Sequence, residues 1–165
     1  MRRVVVVGGP GSGKSTLAAA IGARTGLPVI HLDRHHWRPG WVKPDKPEWL
    51  RRVEAFTGAE TWVIDGNYGS ALDLTFARAD TVVWLDLPSW LCLWRIVRRG
   101  VQHWGKVRPD MAEGCPEQLD WKFLAYTATF RGAPRQRIVD RLPGFAGTIV
   151  RIRRPRDVER FLRSL

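Results

Sequence analysis

The chain alternates short apolar runs with longer segments whose apolar positions recur at helical spacing. β-Branched residues dominate the short runs, which is typical of buried strands. Strands that alternate with helices require crossover connections, so the pattern predicts a parallel sheet covered by helices on both faces. The predicted strands are Arg3–Val7, Val29–Leu32, Thr61–Ile64, Thr81–Leu85 and Thr148–Ile152.

Prolines and glycines set the predicted helix boundaries. Gly26-Leu27-Pro28 ends a first helix that begins near Thr16, and Pro47 and Pro88 suit the first turns of two others. The helix that begins at Pro88 extends to about Arg99. Further helices are predicted over Pro116–Phe130, Ala133–Leu142 and Asp157–Leu165.

Two long segments, Asp33–Lys46 and Val101–Cys115, lack regular periodicity. Loops at the carboxyl ends of parallel strands form the binding site of such sheets, and long loops usually act as lids or binding loops. We expect one domain spanning residues 1–165, with a lid at about residues 101–115.

Composition narrows the class of protein. No apolar run reaches the roughly 20 residues of a membrane span, and the start of the chain is too short for a signal peptide. Cys92 and Cys115 form no metal-ligand pattern, so we expect reduced thiols in a cytoplasmic protein. We expect no membrane partner, and either a monomer or a weak homodimer.

The net charge of +11 rests on 22 arginines against five lysines. Ten of these arginines lie in residues 131–165, beside three acidic residues. Three interpretations remain open. The excess could serve nucleic-acid binding, an arginine-rich phosphoryl-transfer site, or a solvated surface in an arginine-biased chain.

The strongest motif follows the first predicted strand. Residues 8–16 read Gly-Gly-Pro-Gly-Ser-Gly-Lys-Ser-Thr, the G-x-x-x-x-G-K-[ST] phosphate-binding loop, and a helix follows. Its backbone N–H groups and the helix N-terminus favour an anion, Lys14 would reach the β- and γ-phosphates, and the Ser15 hydroxyl would hold Mg²⁺. We therefore expect ATP and Mg²⁺ as cofactors. The predicted nucleotide-binding residues of the loop are Gly9, Pro10, Gly11, Ser12, Gly13, Lys14, Ser15 and Thr16.

This motif makes the predicted fold a three-layer α/β P-loop NTPase fold, with a five-stranded parallel sheet in the order 2-3-1-4-5 and a lid. Two carboxylates end strands beside the loop. Asp33 follows the second strand and could activate an acceptor hydroxyl, although an Asp there can also cap a turn. Asp65 ends the third strand and suits the second Mg²⁺ position.

The helix after Pro88 carries basic residues at helical spacing. Arg95 and Arg99 are four residues apart, so they share one face and could neutralise charge at the transferred phosphate. A solvated basic helix end is the alternative. Arg98, Lys106, Arg108 and Arg131 are weaker candidates for the same role.

Histidines and tryptophans crowd the segment after Asp33. His31, His35 and His36 have no supporting cysteines, so they are a weak indication of zinc. Trp37, Trp41 and Trp49 could either form an aromatic wall for a substrate or pack a loop onto the core.

Four stretches together resemble the bacterial DNA topology modulation proteins, a branch of the adenylate-kinase-like P-loop kinases. The similarity covers most of the chain, and its fold and phosphate loop imply a small-molecule kinase. The stretches are His31-Leu32-Asp33 with Trp37-Arg38-Pro39-Gly40-Trp41, Ile64 to Ser70, Leu85-Asp86-Leu87-Pro88, and Arg108 to Pro116.

The resemblance to adenylate kinases also implies roles for individual residues. Arg95 and Arg99 match the arginine pair before their lid, and Arg153-Arg154-Pro155 resembles the loop that lines the adenine. Asp65-Gly66 matches the start of their third-strand motif. Asn67-Tyr68-Gly69 stands where those kinases have a Pro-Arg that helps bind an acceptor nucleotide.

We therefore expect an ATP-dependent phosphotransferase that acts on a small-molecule acceptor. Lys14, Asp33, Arg95 and Arg99 are the predicted catalytic residues, Ser15 and Asp65 the predicted Mg²⁺ ligands, and Arg95, Arg154 and Pro155 further ATP contacts. The main alternative is a nucleic-acid-binding P-loop ATPase or regulator of DNA topology. It predicts a basic face formed by Arg151, Arg153, Arg156 and Arg160.

Overall fold

A computed structural model describes residues 1–118 and 120–165. Five parallel strands form one sheet in the order β2-β3-β1-β4-β5, as predicted. The central strand β1 pairs with β3 from Arg3 opposite Trp62, and with β4 from Val4 opposite Thr81. This order brings the carboxyl ends of β1, β2 and β3 to one edge of the sheet, where the phosphate-binding loop begins.

The strands lie within two residues of their predicted bounds, and two helices were not predicted. The strands are β1 Arg3–Gly8, β2 Val29–His31, β3 Trp62–Asp65, β4 Thr81–Leu85 and β5 Thr148–Ile152. The helices are α1 Lys14–Thr25, α2 Leu32–His36, α3 Lys46–Thr57, α4 Gly69–Arg78, α5 Ser89–Gln102, α6 Trp121–Thr129, α7 Ala133–Val139 and α8 Pro155–Arg163.

Each face of the sheet has its own hydrophobic core. Val5, Val7 and Ile64 point to the face covered by α3 and α4, where Trp49 and Trp62 are fully buried. Val4 and Val6 alternate with them and pack on the other face, against α1 and α8. The central strands β1, β3 and β4 are apolar except at their ends because both faces are covered.

The predicted helix over Pro116–Phe130 is wrong in its first part. Residues 116–118 and 120 are not helical, and α6 begins only at Trp121, with Asp120 capping it by accepting a hydrogen bond from the Lys122 N–H. Residue 119 of that prediction lies outside the described residues. The backbone of Glu117 instead forms hydrogen bonds with the backbones of Lys106 and Gly105 in the predicted lid. Pro116 therefore precedes a loop rather than opening a helix.

Two segments predicted as irregular are partly helical. Leu32–His36 forms the single-turn helix α2 directly after β2, and Val101 and Gln102 complete α5. The rest of the predicted lid, residues 103–115, contains no helix or strand, and residues 116–118 continue it without regular structure. Residues 103–118 are called the lid segment. Within the described residues, every helix is too short or too polar to cross a bilayer.

Candidate active site

The phosphate-binding loop connects β1 to α1 and packs beneath α5. Gly11 has φ +72°, and a Cβ atom there would lie 2.4 Å from the carbonyl oxygen of Cys92. The same Cβ would lie 2.9 Å from the side chain of Ile96. A side chain fits neither the backbone conformation nor the space, so glycine lets the loop and α5 pack in direct contact.

Lys14 opens α1 and reaches back over the loop. Its Nζ donates a hydrogen bond to the carbonyl of Gly9 at 3.1 Å. Burial lowers the pKa of Lys14, while the nearby carboxylates of Asp33 and Asp65 oppose that change. The ammonium group therefore lies among the polar groups predicted to surround a bound triphosphate.

Asp65 is 4% exposed and receives hydrogen bonds on both carboxylate oxygens. The Ser15 hydroxyl donates to Oδ2 at 2.8 Å, and His31 Nδ1 lies 2.5 Å from Oδ1. The hydrogen bond to Asp65 raises the pKa of His31, against a smaller opposing effect of burial. Sequence analysis paired Ser15 with Asp65 but assigned His31 no partner. The structure shows that His31 orients this carboxylate.

Ser15 and Asp65 offer the hard oxygen ligands that Mg²⁺ prefers. Mg²⁺ usually binds through one or two protein oxygens and completes its coordination with water and phosphate oxygens. The pair therefore fits this ion at the end of the phosphate-binding loop. Among residues 1–118 and 120–165, no three His, Cys, Asp or Glu side chains form a metal-binding group.

Asp33 lies in the first turn of α2 and accepts a hydrogen bond from the Tyr68 hydroxyl at 2.5 Å. Burial raises the pKa of Asp33, whereas the Tyr68 hydrogen bond and the charge of Lys14 lower it. The Tyr68 ring is fixed against His36, at a centroid distance of 4.0 Å, and against Trp49, at 5.2 Å. Asp33 is thus a half-buried carboxylate oriented by a tyrosine whose ring is packed between two aromatic side chains.

The histidines and tryptophans after Asp33 divide into two groups. His36 and Trp49 are buried in the core, and burial lowers the pKa of His36 to about 4. His35 packs on Phe56, with the ring centroids 4.7 Å apart. Trp37 and Trp41 line the cleft instead. Trp49 therefore packs in the core, whereas Trp37 and Trp41 form a wall of the cleft.

Asn67 connects the end of β3 to the phosphate-binding loop. Its side-chain oxygen accepts a hydrogen bond from the Gly8 N–H at 3.1 Å, and its amide donates to the Gly8 carbonyl. The paired contact joins the loop after β3 to the first residue of the phosphate-binding loop, so Asn67 positions the start of that loop.

The basic residues of α5 point to different sides of the helix. Arg95 Nη1 donates to the Ser12 carbonyl at 3.0 Å, which places Arg95 beside the phosphate-binding loop. Arg99 also lines the cleft, but its Nε donates to the carboxylate of Glu117 at 2.9 Å. Arg98 points outward over the ring of Trp94, with its guanidinium carbon 5.4 Å from the ring centroid.

Glu117 was missed by sequence analysis. It is 7% exposed and forms ion pairs with two arginines. Arg99 approaches Glu117 Oε1 at 2.8 Å through Nη2, and Arg108 Nε lies 2.8 Å from Oε2. Arg108 also contacts Asp110 at 3.1 Å. A single acidic residue near the start of a predicted helix gives no sign that it will pair with two arginines distant in sequence.

The lid segment is docked on the loop after α2. Gly40 donates a backbone hydrogen bond to Gly114 at 3.0 Å, and Met111, Ala112 and Cys115 pack against Trp37 and Trp41. A Cβ atom on Gly114, which has φ +73°, would lie 2.8 Å from Pro39. The contact therefore requires glycine, and it joins the two long irregular segments across the cleft.

One cleft of about 1740 Å³ contains most of the predicted site residues. It is lined by residues 10–16 of the phosphate-binding loop and by Asp33, Arg95, Arg99 and Pro155. Three predicted residues lie outside its lining. Gly9 packs beneath Phe130, Asp65 lies behind Ser15, and Arg154 is exposed at the start of α8.

The predicted basic face near the C-terminus is partly neutralised. Arg151 contacts the buried carboxylate of Asp86 at 2.5 Å and stacks over Trp84. Arg160 lies 3.5 Å from Asp157. Arg153 and Arg156 are exposed. Two of the four arginines named for nucleic-acid binding are therefore paired within the protein.

No protein-family model matches this chain, and no curated protein matches its sequence. Solved structures do match. A sugar kinase from Janibacter sp. HTCC2649 is 20% identical with a TM-score of 0.51, and the alignment covers 99% of this chain and 93% of that one. A gluconokinase from Sinorhizobium meliloti 1021 is 18% identical with a TM-score of 0.55, covering 98% and 87%.

A shikimate kinase from Aquifex aeolicus vf5 is 15% identical with a TM-score of 0.52, covering 98% of this chain and 94% of that one. At these identities the similarity shows the fold, and it extends over nearly the whole length of both proteins. The chain therefore has the fold of P-loop kinases, including the sheet order predicted from its sequence.

Proposed function

We propose that this protein is an ATP-dependent phosphotransferase that moves the γ-phosphoryl group of ATP to a hydroxyl group of a small-molecule acceptor. The observation that supports it best is the position of Asp33. A half-buried, oriented carboxylate lines the same cleft as Lys14 and interacts electrostatically with it. A protein that only bound nucleotide would not need a second, inward-facing carboxylate held by a packed tyrosine.

In this proposal the phosphate-binding loop holds the phosphates of ATP, and Lys14 neutralises their charge. Ser15 and Asp65 hold Mg²⁺, which when bound neutralises phosphate charge and orients the transferred group. Arg95 adds positive charge above the loop. Asp33 accepts the proton of the acceptor hydroxyl while the hydroxyl oxygen bonds to the γ-phosphorus, and the bond between that phosphorus and the bridging oxygen breaks to release ADP. Pro155 and Arg154, at the start of α8, lie on the proposed adenine side.

The acceptor side of the cleft combines an aromatic wall with basic side chains. Trp41, at φ +63°, is the one non-glycine residue with positive φ among the described residues, and such strain often marks ligand sites. Lys43 lies over Trp37, and Arg137 also lines the cleft near Gly69. These charges favour an acceptor that carries an anionic group in addition to its hydroxyl.

The lid segment closes the proposed reaction volume. Its contact with Trp37 and Trp41 connects it to the acceptor side, while Arg108 and Glu117 connect it to α5. Exclusion of water by such a lid would protect ATP from hydrolysis. We also propose that residues 1–165 act as one kinase-like domain in the cytoplasm and that the chain is related to the DNA topology modulation proteins it resembles.

The test measures ADP formation with Mg²⁺ and ATP at physiological salt. The acceptor panel contains sugars, sugar acids and other hydroxy acids, nucleosides, nucleoside monophosphates and oligonucleotides. We expect one class of small acceptor to accelerate turnover and to be recovered as a phosphate ester. Lys14→Ala should remove most of that turnover, by at least about 100-fold. Asp33→Asn should do the same while leaving ATP binding intact.

Two outcomes would contradict the proposal. Phosphate-ester formation that is unchanged in Lys14→Ala would exclude this loop as the site. Stimulation by oligonucleotides without their phosphorylation, combined with binding that weakens steeply with salt, would favour the nucleic-acid-dependent ATPase.

A further inference from the structure

Helix α5 has an apolar surface exposed to solvent on the side away from the site. Trp90 is 70% exposed, Trp94 54%, Val97 43% and Val101 69%. Trp104, in the turn that follows α5, is 63% exposed. These five residues, which we call the α5 stripe, are separated by four, three, four and three positions.

This spacing places the stripe on one side of the helix. At 3.6 residues per turn, the four helical members fall within about 60° of its circumference. Cys92, Ile96 and Gly100 lie on the buried side, where Cys92 and Ile96 pack on Gly11 of the phosphate-binding loop. A surface helix normally presents polar residues to water. Helix α5 is instead apolar on two sides, of which one is covered within the chain.

We propose that a second copy of this chain covers the α5 stripe and that the protein is a symmetric dimer through α5. Alternating steps of four and three residues form the seam along which two helices pack with small crossing angles. In a two-fold dimer the same patch serves both subunits, so the stripe supplies both halves of the seam.

The size of the stripe also fits this partner. The three tryptophans alone expose about 400 Å², and the two valines add to that area. Each partner of a stable interface of standard size buries about 800 Å². The stripe therefore supplies more than half of the area that each partner needs, and the residues that flank each helix would supply the rest. Tryptophan is also among the residue types most enriched at the energetic centres of interfaces.

The charges of α5 are compatible with self-pairing. Arg95 and Arg99 turn away from the stripe towards Ser12 and Glu117. Arg98 is the one charged residue beside the stripe on α5, and its guanidinium stacks on Trp94 within the same helix. Its charge would lie at the rim of the interface, where salt and water screen the repulsion between two copies.

Dimerisation would also restrain the wall of the candidate active site. The buried side of α5 contacts the phosphate-binding loop, and Arg95 reaches that loop from the same helix. A partner packed on the opposite side would limit motion of α5. The proposal concerns assembly, so it stands independently of the reaction that the cleft performs.

The experiment is sedimentation velocity at physiological salt from micromolar to sub-millimolar concentration. We expect the wild type to sediment as a dimer. Val97→Asp and Val101→Asp each place a charge in the seam, and each should raise the dimer dissociation constant by at least about 30-fold. Val42→Asp is the matched control, because Val42 is 53% exposed on a loop elsewhere and its substitution should leave the dimer unchanged.

Thermal unfolding by circular dichroism verifies that the variants fold, which we expect because both valines are exposed in the single chain. Trp104→Ser, outside the helix, is a second variant that should weaken the dimer without changing the helicity of α5. A wild type that remains monomeric at every concentration, or a dimer insensitive to all three stripe variants, overturns the proposal. So does a monomer whose stripe binds phosphatidylglycerol vesicles and loses that binding in Val101→Asp, since the stripe would then contact a lipid surface.

Discussion

The Tyr68 hydroxyl donates a hydrogen bond of 2.5 Å to Asp33 Oδ1, joining the loop after β3 to the helix after β2. Burial raises the pKa of Asp33, and the hydrogen bond from Tyr68 is the largest of the effects that lower it. The tyrosine therefore keeps this half-buried carboxylate closer to its ordinary range of ionisation while fixing its orientation.

We expect Tyr68→Phe to move the acid limb of the pH–rate profile to higher pH. The proposed base must be ionised to accept a proton. Burial already raises the pKa of Asp33, and without the hydroxyl the pKa rises further, so activity is lost at a higher pH as the solution is acidified. The measurement is kcat/KM against pH for the wild type and the variant. The packing of the Tyr68 ring against His36 and Trp49 is retained by phenylalanine, which makes the substitution specific for the hydroxyl. An acid limb at the same pH in both proteins would remove Asp33 as the proposed base.

Glu117→Gln tests whether this buried carboxylate positions Arg99 and Arg108. Glutamine has nearly the same shape, but without the negative charge two arginines would approach each other uncompensated. We expect kcat to fall about 10-fold because the arginines are no longer preorganised at the cleft. The melting temperature should also fall, measured by calorimetry. An unchanged kcat with a lower KM for ATP would instead mean that Glu117 competes with the phosphates for these arginines.

Asn67→Asp separates the two hydrogen bonds between Asn67 and Gly8. An aspartate can still accept a hydrogen bond but cannot donate to the Gly8 carbonyl, and its charge would repel that oxygen. We expect the affinity for ATP, measured by calorimetric titration, to fall about 10-fold because the start of the phosphate-binding loop is displaced. Ser70→Asp, an exposed change three residues away that adds the same charge, is the control. Equal loss in both variants would attribute the effect to charge rather than to the Gly8 contact.

The sheet was predictable because its strands are short and rich in β-branched residues, and because β1, β3 and β4 are buried on both faces. Thr81–Leu85 and Thr148–Ile152 have the predicted bounds, and the order of the strands agrees as well. Helix α4 was not predicted, because Gly69-Ser70 is a weak signal for the start of a helix. The N-cap residue, Tyr68, makes no side-chain capping hydrogen bond. Local signals mark strands well here, whereas this helix is stabilised mainly by packing against α3.

The candidate site was predictable where one motif fixes the backbone. The phosphate-binding loop, Asp33 and Arg95 lie in the arrangement expected from their strand and helix ends. Glu117 was not predictable, because its partners Arg99 and Arg108 come from different segments that meet only in the folded chain. Whether a tryptophan packs in the core or lines a cleft likewise depends on tertiary structure rather than on spacing.

Asp86→Asn tests a stabilising role for the basic residues near the C-terminus. Asp86 is 7% exposed and follows β4, where Arg135 contacts it at 2.8 Å and Arg151 at 2.5 Å. Burial alone would raise the pKa of Asp86, but the two arginines outweigh it, so the pKa is lower in the folded protein. Both arginines also stack on Trp84.

A lowered folded-state pKa contributes stability above the unfolded pKa of Asp, and this contribution is lost as the pH falls through the folded value. At pH 7 we expect Asp86→Asn to reduce the free energy of unfolding by about 3 kcal/mol, because it leaves two arginines without their carboxylate. The difference from the wild type should shrink as the pH is lowered below about 4. Urea unfolding at several pH values measures both effects, and Asp73→Asn, at an exposed carboxylate with a single arginine contact at 2.8 Å, is the control. A pH-independent difference would show that the loss arises from packing rather than from charge.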